Sequence, residues 1–592
     1  MTTHRISSRR LAAGSALVVA ALLSTTACGG GAGNEGGKGG GAAGFNAGVD
    51  KVANESSKAG GTLKFVGTQD ADSWDPQRGY YGFMWDFARY YTRQLVSFKS
   101  APGEESTELV PDLATAKAEV SDGGKTYKYT LKDDVTWEDG KPITSKDIKY
   151  GIERIWAQDV IAGGPIYLMQ VLDPDSKYKG PYKDKSKDKL GLKAIETPDD
   201  KTIVFKLPKP NGDFEQMLAM PSATPVRQDK DTKSKYGLKP FSSGPYKFES
   251  YTPNKGMALV RNDKWKKSSD TIRKALPDKV TVKFMTNADE MDKRLMNGDF
   301  DVDINATGVG QAARTTALQK HKDNLDNPQT GFIRYAVFPQ TVKPFDKIEC
   351  RKAAIYAADK KSLQNARGGP QAGGDIATNM LPPSIKGADP SYDPYGAKAN
   401  GGKPDTAKAK EALKACGKPN GFKTRIAVRN NKPIEVATAE SLQQSLAKVG
   451  IDAEIDQFDG AQTSGIIGSP KTVESKGYGI IIMGWGADFP SGQGFSQPLV
   501  DSRFILKSGN NNFGMVDDKK IDGLFDKAIA ETDPEKAGEF YAQMNKKVSE
   551  GAHYLPFTHE KTIIWRSSRL TNAYTAASYN GRYDYASLGV VK

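Results

Sequence analysis

The chain has 592 residues and a net charge of +13, with 38% apolar residues and many Tyr, Phe and Trp. That length exceeds one ordinary core, so several folding units are expected, and the apolar fraction lies above disordered levels. Four His and three Cys exclude a multi-zinc protein and a disulfide-dense scaffold, while basic residues interleaved with Asp and Glu, as from Lys183 to Lys189, describe a charged soluble surface rather than a nucleic-acid arm.

The N-terminus reads as an export signal over residues 1–27. A basic stretch, Arg5 to Arg10, precedes an apolar run, Leu11 to Leu23, too short and too rich in Ala and Gly to span a membrane. Thr25-Thr26-Ala27-Cys28 resembles a bacterial lipobox, which makes Cys28 the candidate lipidated residue. Thr25 stands where Leu is usual, so an ordinary signal with an unrelated Cys is the alternative. Ser8-Arg9-Arg10 resembles the twin-arginine signature without its downstream pattern. Residues 28–59 read as a tether, because Gly29 to Gly44 has little apolar surface to bury.

The first half of the folded part is rich in strands. Thr62 to Val66, Lys125 to Leu131, Thr202 to Leu207 and Val280 to Phe284 fit strands, with Tyr127, Tyr129 and Leu131 on one face. Thr144 caps a helix through Ile148, Ile152 and Ile155, with Asp147 three residues after the cap. The second half changes character. Thr424 to Val428 and Ile451 to Ile455 are strands flanking a helix, Glu435 to Val449, which is the mark of a parallel α/β sheet. Ile480 to Met483 is apolar throughout, as in a strand buried on both faces. Helices follow at Lys520 to Ala530 and Pro534 to Glu550.

Chemistry-bearing motifs are few. Gly124-Lys125-Thr126 ends like a phosphate loop, but Glu119 stands where that loop needs Gly. Beyond residue 28 there is no H-E-x-x-H, G-x-S-x-G or C-x-x-C. Cys350 and Cys416 form a disulfide candidate outside the cytoplasm, with two free thiols as the alternative. Gly484-Trp485-Gly486-Ala487-Asp488 follows the buried strand, and ligands in open α/β sheets sit beyond such carboxyl ends. Trp485 offers an apolar wall and Asp488 a partner for a cationic group. The residues alone leave a structural and a ligand-binding role both open.

Further blocks follow one another in a specific order. Ser73-Trp74-Asp75-Pro76 precedes Leu109-Val110-Pro111-Asp112-Leu113-Ala114 and Asp122-Gly123-Gly124-Lys125-Thr126-Tyr127. Leu131 to Trp137 and Asp139 to Asp147 come next, then Ser243-Gly244-Pro245-Tyr246, Pro344-Phe345-Asp346 and the Gly484 to Asp488 block. Over residues 60–592 this series resembles the extracytoplasmic solute-binding proteins of peptide and nickel ABC importers, bacterial solute-binding protein family 5.

The resemblance implies an α/β, two-lobed periplasmic-binding-protein-like fold with a hinge and an inserted domain. Lobe 1 would take residues 60–98, 224–328 and 554–592, with 99–223 inserted, and lobe 2 would take 329–553. It implies that Asp488 pairs with a peptide's α-amino group beside Trp485, and that Tyr335, Val337, Phe338, Tyr80 and Tyr81 line the cleft. Gly123, Gly140 and Pro245 read as turn and fold determinants. The implied protein is a monomer without cofactor, catalysis or nucleic-acid partner. Tethered outside the cell membrane by its lipid, it would hand a solute to importer permease subunits. Chelated nickel, an oligosaccharide or a signalling peptide are the alternative solutes. An exported hydrolase is the remote alternative, poorly served by His321, His553 and His559.

Overall fold

The computed structural model describes residues 44–507 and 509–591. The signal segment, the expected lipidation residue Cys28 and the first part of the tether lie outside the described residues. The rest of the expected tether is fastened to the body. Asn46 N–H donates to the Leu325 carbonyl at 3.0 Å and Gly48 N–H to Asp326 at 2.9 Å. Ala53 bridges Ala573, and Ser56 N–H reaches the Asn572 Oδ1. The polar stretch before residue 60 therefore belongs to the folded lobe, because distant residues supply partners that its own composition lacks.

The first lobe opens with β1 (Thr62–Gly67) and α1 (Gly82–Ala88). The chain then leaves for an inserted subdomain. Its strands are β2 (Glu119–Ser121), β3 (Thr126–Thr130), β4 (Ile195–Glu196) and β5 (Thr202–Lys206), paired antiparallel in the order β2-β3-β5-β4. Two helices lie between β3 and β4, namely α2 (Ser145–Glu153) and α3 (Tyr167–Leu172). α2 begins with the expected capping box: Thr144 and Asp147 satisfy each other's backbone N–H groups. Tyr127, Tyr129 and Leu131 all point into the subdomain core, at 3%, 1% and 2% exposure, as the alternation requires.

The first lobe resumes with β6 (Tyr246–Thr252), β7 (Gly256–Arg261), β8 (Lys279–Phe284), β9 (Val302–Asp303) and α4 (Gln311–Lys320). Its sheet runs β9-β1-β8-β7-β6, with β1 parallel to both neighbours. Carboxylates from the ordered motifs hold this lobe together. Asp112 is fully buried and pairs with Arg93 and Arg273, each at 2.8 Å. Asp75 takes both Nη atoms of Arg154, at 3.0 and 2.7 Å. Each guanidinium is buried, so these carboxylates are needed for charge balance in the core.

The second lobe contains β10 (Gln329–Val337), α5 (Ile348–Ala357), α6 (Lys360–Ala366), β11 (Asp375–Ile376), α7 (Thr406–Ala415), β12 (Phe422–Arg429) and α8 (Pro433–Ala447). It continues with β13 (Ile451–Phe458), β14 (Tyr478–Trp485), α9 (Gly492–Val500), α10 (Lys519–Ala530), α11 (Pro534–Glu550) and β15 (Tyr554–Lys561). Its sheet order is β11-β15-β10-β14-β12-β13, and β12 is parallel to β13 and β14. Ile480, Ile481 and Ile482 are buried between helices on both sides, which explains their unbroken apolar run.

β15 corrects one expected boundary. Residues 554–561 pair with β10 inside the second lobe, so the chain returns to the first lobe only after Lys561. The short strand Ile564–Trp565 then pairs with Leu325–Asp326 beside the outgoing crossing. Cys350 on α5 and Cys416 just past α7 are joined by a disulfide with Cα atoms 5.4 Å apart.

Candidate functional site

β14 delivers its C-terminal end to the seam between the lobes. Its register sets Gly484 opposite Arg334 and Trp485 opposite Ile333 on β10. A Cβ on Gly484 would lie 2.5 Å from the Arg334 Nη1, and one on Gly486 would lie 2.7 Å from the Phe332 ring. A side chain at either position would push Arg334 or Phe332 aside, so the two glycines let these residues lie across the strand end.

Asp488 follows directly. The hydroxyls of Tyr80, before α1, and Tyr167, on α3, both donate to its Oδ2 at 2.5 Å. Oδ1 has no hydrogen-bond partner among the described residues. Burial pushes the Asp488 carboxyl up to about 6, while the two tyrosine hydrogen bonds pull it the other way. Desolvation and the adjacent carboxylate both raise the tyrosine hydroxyls well above their ordinary range, so they remain donors. Tyr80 is held by stacking on Trp85, with ring centroids 5.3 Å apart, although the residue is 39% exposed. Tyr167 packs edge-on against Phe489 at 5.2 Å.

Other contacts close the seam. Ser491 caps α9 and donates to Asp213 of the inserted subdomain at 2.7 Å. Gly212 N–H donates to the Ile529 carbonyl at 2.8 Å. Phe489 is buried in the core of the inserted subdomain. The lobes thus meet face to face, with Asp488 at their junction.

Beside this junction is a cavity of about 470 Å³, walled by both lobes. Phe332 and Arg334 of β10, Arg429 at the end of β12, Lys432 just before α8, and Arg582 near the C-terminus contribute to its lining. Arg334 forms a two-pronged pair with Glu560, both bonds at 2.8 Å, and Arg367 adds a third contact at 3.2 Å. Arg429 is paired with Glu435. A larger hollow of about 640 Å³ lies beside the edge strand β11, lined by Asp375, Thr378 and His559. Neither hollow is lined by Asp488, Tyr80 or Tyr167, but only the smaller one takes in Phe332, whose ring abuts Gly486 beside Asp488.

The sequence profile of the bacterial extracellular solute-binding proteins, family 5, matches residues 108–505. The chain belongs to this family. Among solved structures, the clavulanic acid biosynthesis oligopeptide binding protein 2 superposes with a TM-score of 0.89 at 38% identity, covering 93% of this chain and 99% of that one. The di/tripeptide-binding protein 1 of Pseudomonas aeruginosa is 27% identical over 490 residues, 78% of this chain and 83% of that protein. The heme-binding protein A of Haemophilus influenzae is 26% identical over 486 residues, 79% of this chain and 81% of that protein.

Within this family 5 chain, the expected site residues divide. Asp488 and Tyr80 meet at the seam. Trp485 is partly buried against the second-lobe core, and its indole N–H has no partner among the described residues. Tyr81 turns away toward Phe83, with ring centroids 5.4 Å apart. The expectation for Tyr335, Val337 and Phe338 needs correction, because all three are fully buried and do not line the cavity. Tyr335 and Val337 face the core under α9 to α11, and Phe338 faces the opposite core against Phe345. The cavity-lining residues of β10 are Thr330, Phe332 and Arg334, one step out of register from Tyr335. A strand turns successive side chains to opposite faces, which separates Tyr335 and Val337 from Arg334, whereas Phe338 shares the parity of Arg334 but lies farther along, where that face is covered by Phe345. Arg334, a charge inside the apolar run Phe332 to Val337, was the available signal. Tyr167 and Arg582 carried none, because only the tertiary fold brings them to the seam.

Proposed function

We propose that this protein captures a peptide between its lobes and hands it to an ABC importer, with Asp488 receiving the peptide's α-ammonium group. The observation that carries the reading is the Asp488 carboxylate. Two first-lobe tyrosines hold its Oδ2 and leave Oδ1 without a partner. An ammonium bonded there is a charge-assisted contact, and it gains strength as a bound solute displaces water from the seam. The unpaired indole N–H of Trp485 is a further donor at the same strand end. The names of the oligopeptide-binding and di/tripeptide-binding relatives support the same class of solute.

The mechanism is closure rather than chemistry. A solute that touches both lobes interacts more strongly with the closed state and so shifts the population toward it. A peptide also brings backbone groups that pair as an added strand would. Thr25-Thr26-Ala27-Cys28 supports a lipid on Cys28 that keeps the receptor beside its importer on the outer face of the membrane. Mass spectrometry of solute released by denaturing the purified protein tests the reading. A population of short peptides is expected. A chelated metal, an oligosaccharide or heme in their place would overturn it.

A further inference from the structure

Both walls of the seam cavity carry cations. Arg314 of α4 and Arg582 belong to the first lobe, while Arg334, Arg367, Arg429 and Lys432 belong to the second. Two carboxylates, Glu560 and Glu435, balance part of the second-lobe set. Arg314, Arg582 and Lys432 have no carboxylate in ion-pair contact among the described residues. The Nε atoms of Arg314, Arg367 and Arg582 are buried without a hydrogen-bond partner among the described residues, and Arg367 is only 7% exposed. The first turn of the fifteen-residue helix α8 also lines the cavity, adding the positive end of its dipole.

Closing this seam without a solute sets like charges against each other and strips water from donors that the protein does not satisfy. An anionic solute reverses both effects, because it bridges the two cationic walls and fills the open guanidinium donors. Such a solute interacts with the closed state far more than with the open one, which is the condition for driving closure.

We infer that the arginine-lined cavity selects solutes with clustered negative charge, specifically short peptides whose C-terminal residue is acidic. The inference rests on the peptide reading above: the ammonium sits at Asp488, and the C-terminal carboxylate and acidic side chain enter the cavity. The two sites adjoin, because Phe332 lines the cavity and abuts Gly486, while Arg582 lines it and abuts Gly82, two residues after Tyr80.

The test is calorimetry on solute-free protein with three pools of three- to five-residue peptides, ending in Glu, Ala or Lys. The Glu pool is expected to bind about tenfold or more tighter than the Ala pool, with the Lys pool weakest. Arg582→Gln and, separately, Arg314→Gln are expected to remove most of that preference. Because these residues lie on different elements, a folding defect in one variant leaves the other informative. Equal affinity for the three pools overturns the inference while leaving peptide capture intact. If no pool binds but citrate does, and Arg582→Gln abolishes that binding, the anion site stands and the peptide reading falls. Absence of binding to all four probes overturns both.

Discussion

Tyr80 and Asp488 are 408 positions apart in the chain, yet the phenol of one donates to the carboxylate of the other at 2.5 Å. Tyr80 belongs to the first lobe and Asp488 to the second, so this hydrogen bond exists only when the lobes are apposed. Tyr167 completes the arrangement from the inserted subdomain. Three separate parts of the chain therefore converge on one carboxylate.

Asp488→Asn keeps the shape and one acceptor but removes the charge. Its peptide affinity is expected to fall by about 1.5–3 kcal/mol, the usual worth of a hydrogen bond to a charged group. That is roughly 10- to 150-fold, measurable by calorimetry with a peptide identified from the released solute. Unchanged affinity would remove Asp488 from the binding site.

The raised Asp488 carboxyl predicts a pH dependence with a definite sign. Its ordinary value is 3.8 and burial lifts it to about 6 in the closed protein. A carboxyl raised in this way holds its proton more tightly closed than open, so the solute-free closed form loses stability as pH rises from about 4 to about 6. The ammonium contact needs the ionised carboxylate. Peptide affinity should therefore climb until the carboxyl of the solute-free protein is ionised, near pH 6 where that protein is closed and near pH 4 where it is open, and then level off until the peptide's own amino group titrates near pH 8. Tyr80 and Tyr167 stay neutral throughout, since both are raised. Small-angle scattering follows closure and calorimetry follows affinity. The climb should vanish in Asp488→Asn, and its persistence there would assign the titration to another group.

The Cys350–Cys416 bridge closes a long loop of the second lobe, at a sequence separation of 66. In the chain-entropy account, replacing both cysteines by Ser costs about 4 kcal/mol. Guanidinium denaturation of the oxidised, reduced and double-Ser proteins should show the latter two unfolding at matching, lower midpoints. Coincident curves for all three would show that the bridge contributes nothing to stability.

Asp112→Ala should be among the most damaging single changes in the first lobe. It leaves Arg93 and Arg273 buried with Asp270 as their one remaining ion-pair partner among the described residues, beside hydrogen bonds to Ser269, Arg89 and Thr92. An uncompensated buried charge costs about 3–5 kcal/mol. A loss below about 1 kcal/mol in denaturant unfolding would mean that the pair is solvated after all.

Local periodicity made much of the second lobe legible. The strand–helix–strand unit from β12 to β13 follows from apolar spacing, and α11 matches its expected bounds, Pro534 to Glu550. The capping box at Thr144 was readable because its two residues are three apart. Asp488 was legible from a five-residue block at a strand end. The cavity was not, because its arginines come from distant positions whose convergence no local pattern encodes.

By itself, then, the sequence determined many local elements and the family, and it singled out Asp488 as a candidate. Each of these depends on neighbouring residues or on blocks in fixed order. Tertiary structure decided which face of β10 meets the seam, where the chain returns to the first lobe, and which residues answer Asp488. Those outcomes depend on pairings across hundreds of positions. In β10 a one-residue difference in register turns Arg334 toward the cavity and Tyr335 into the core.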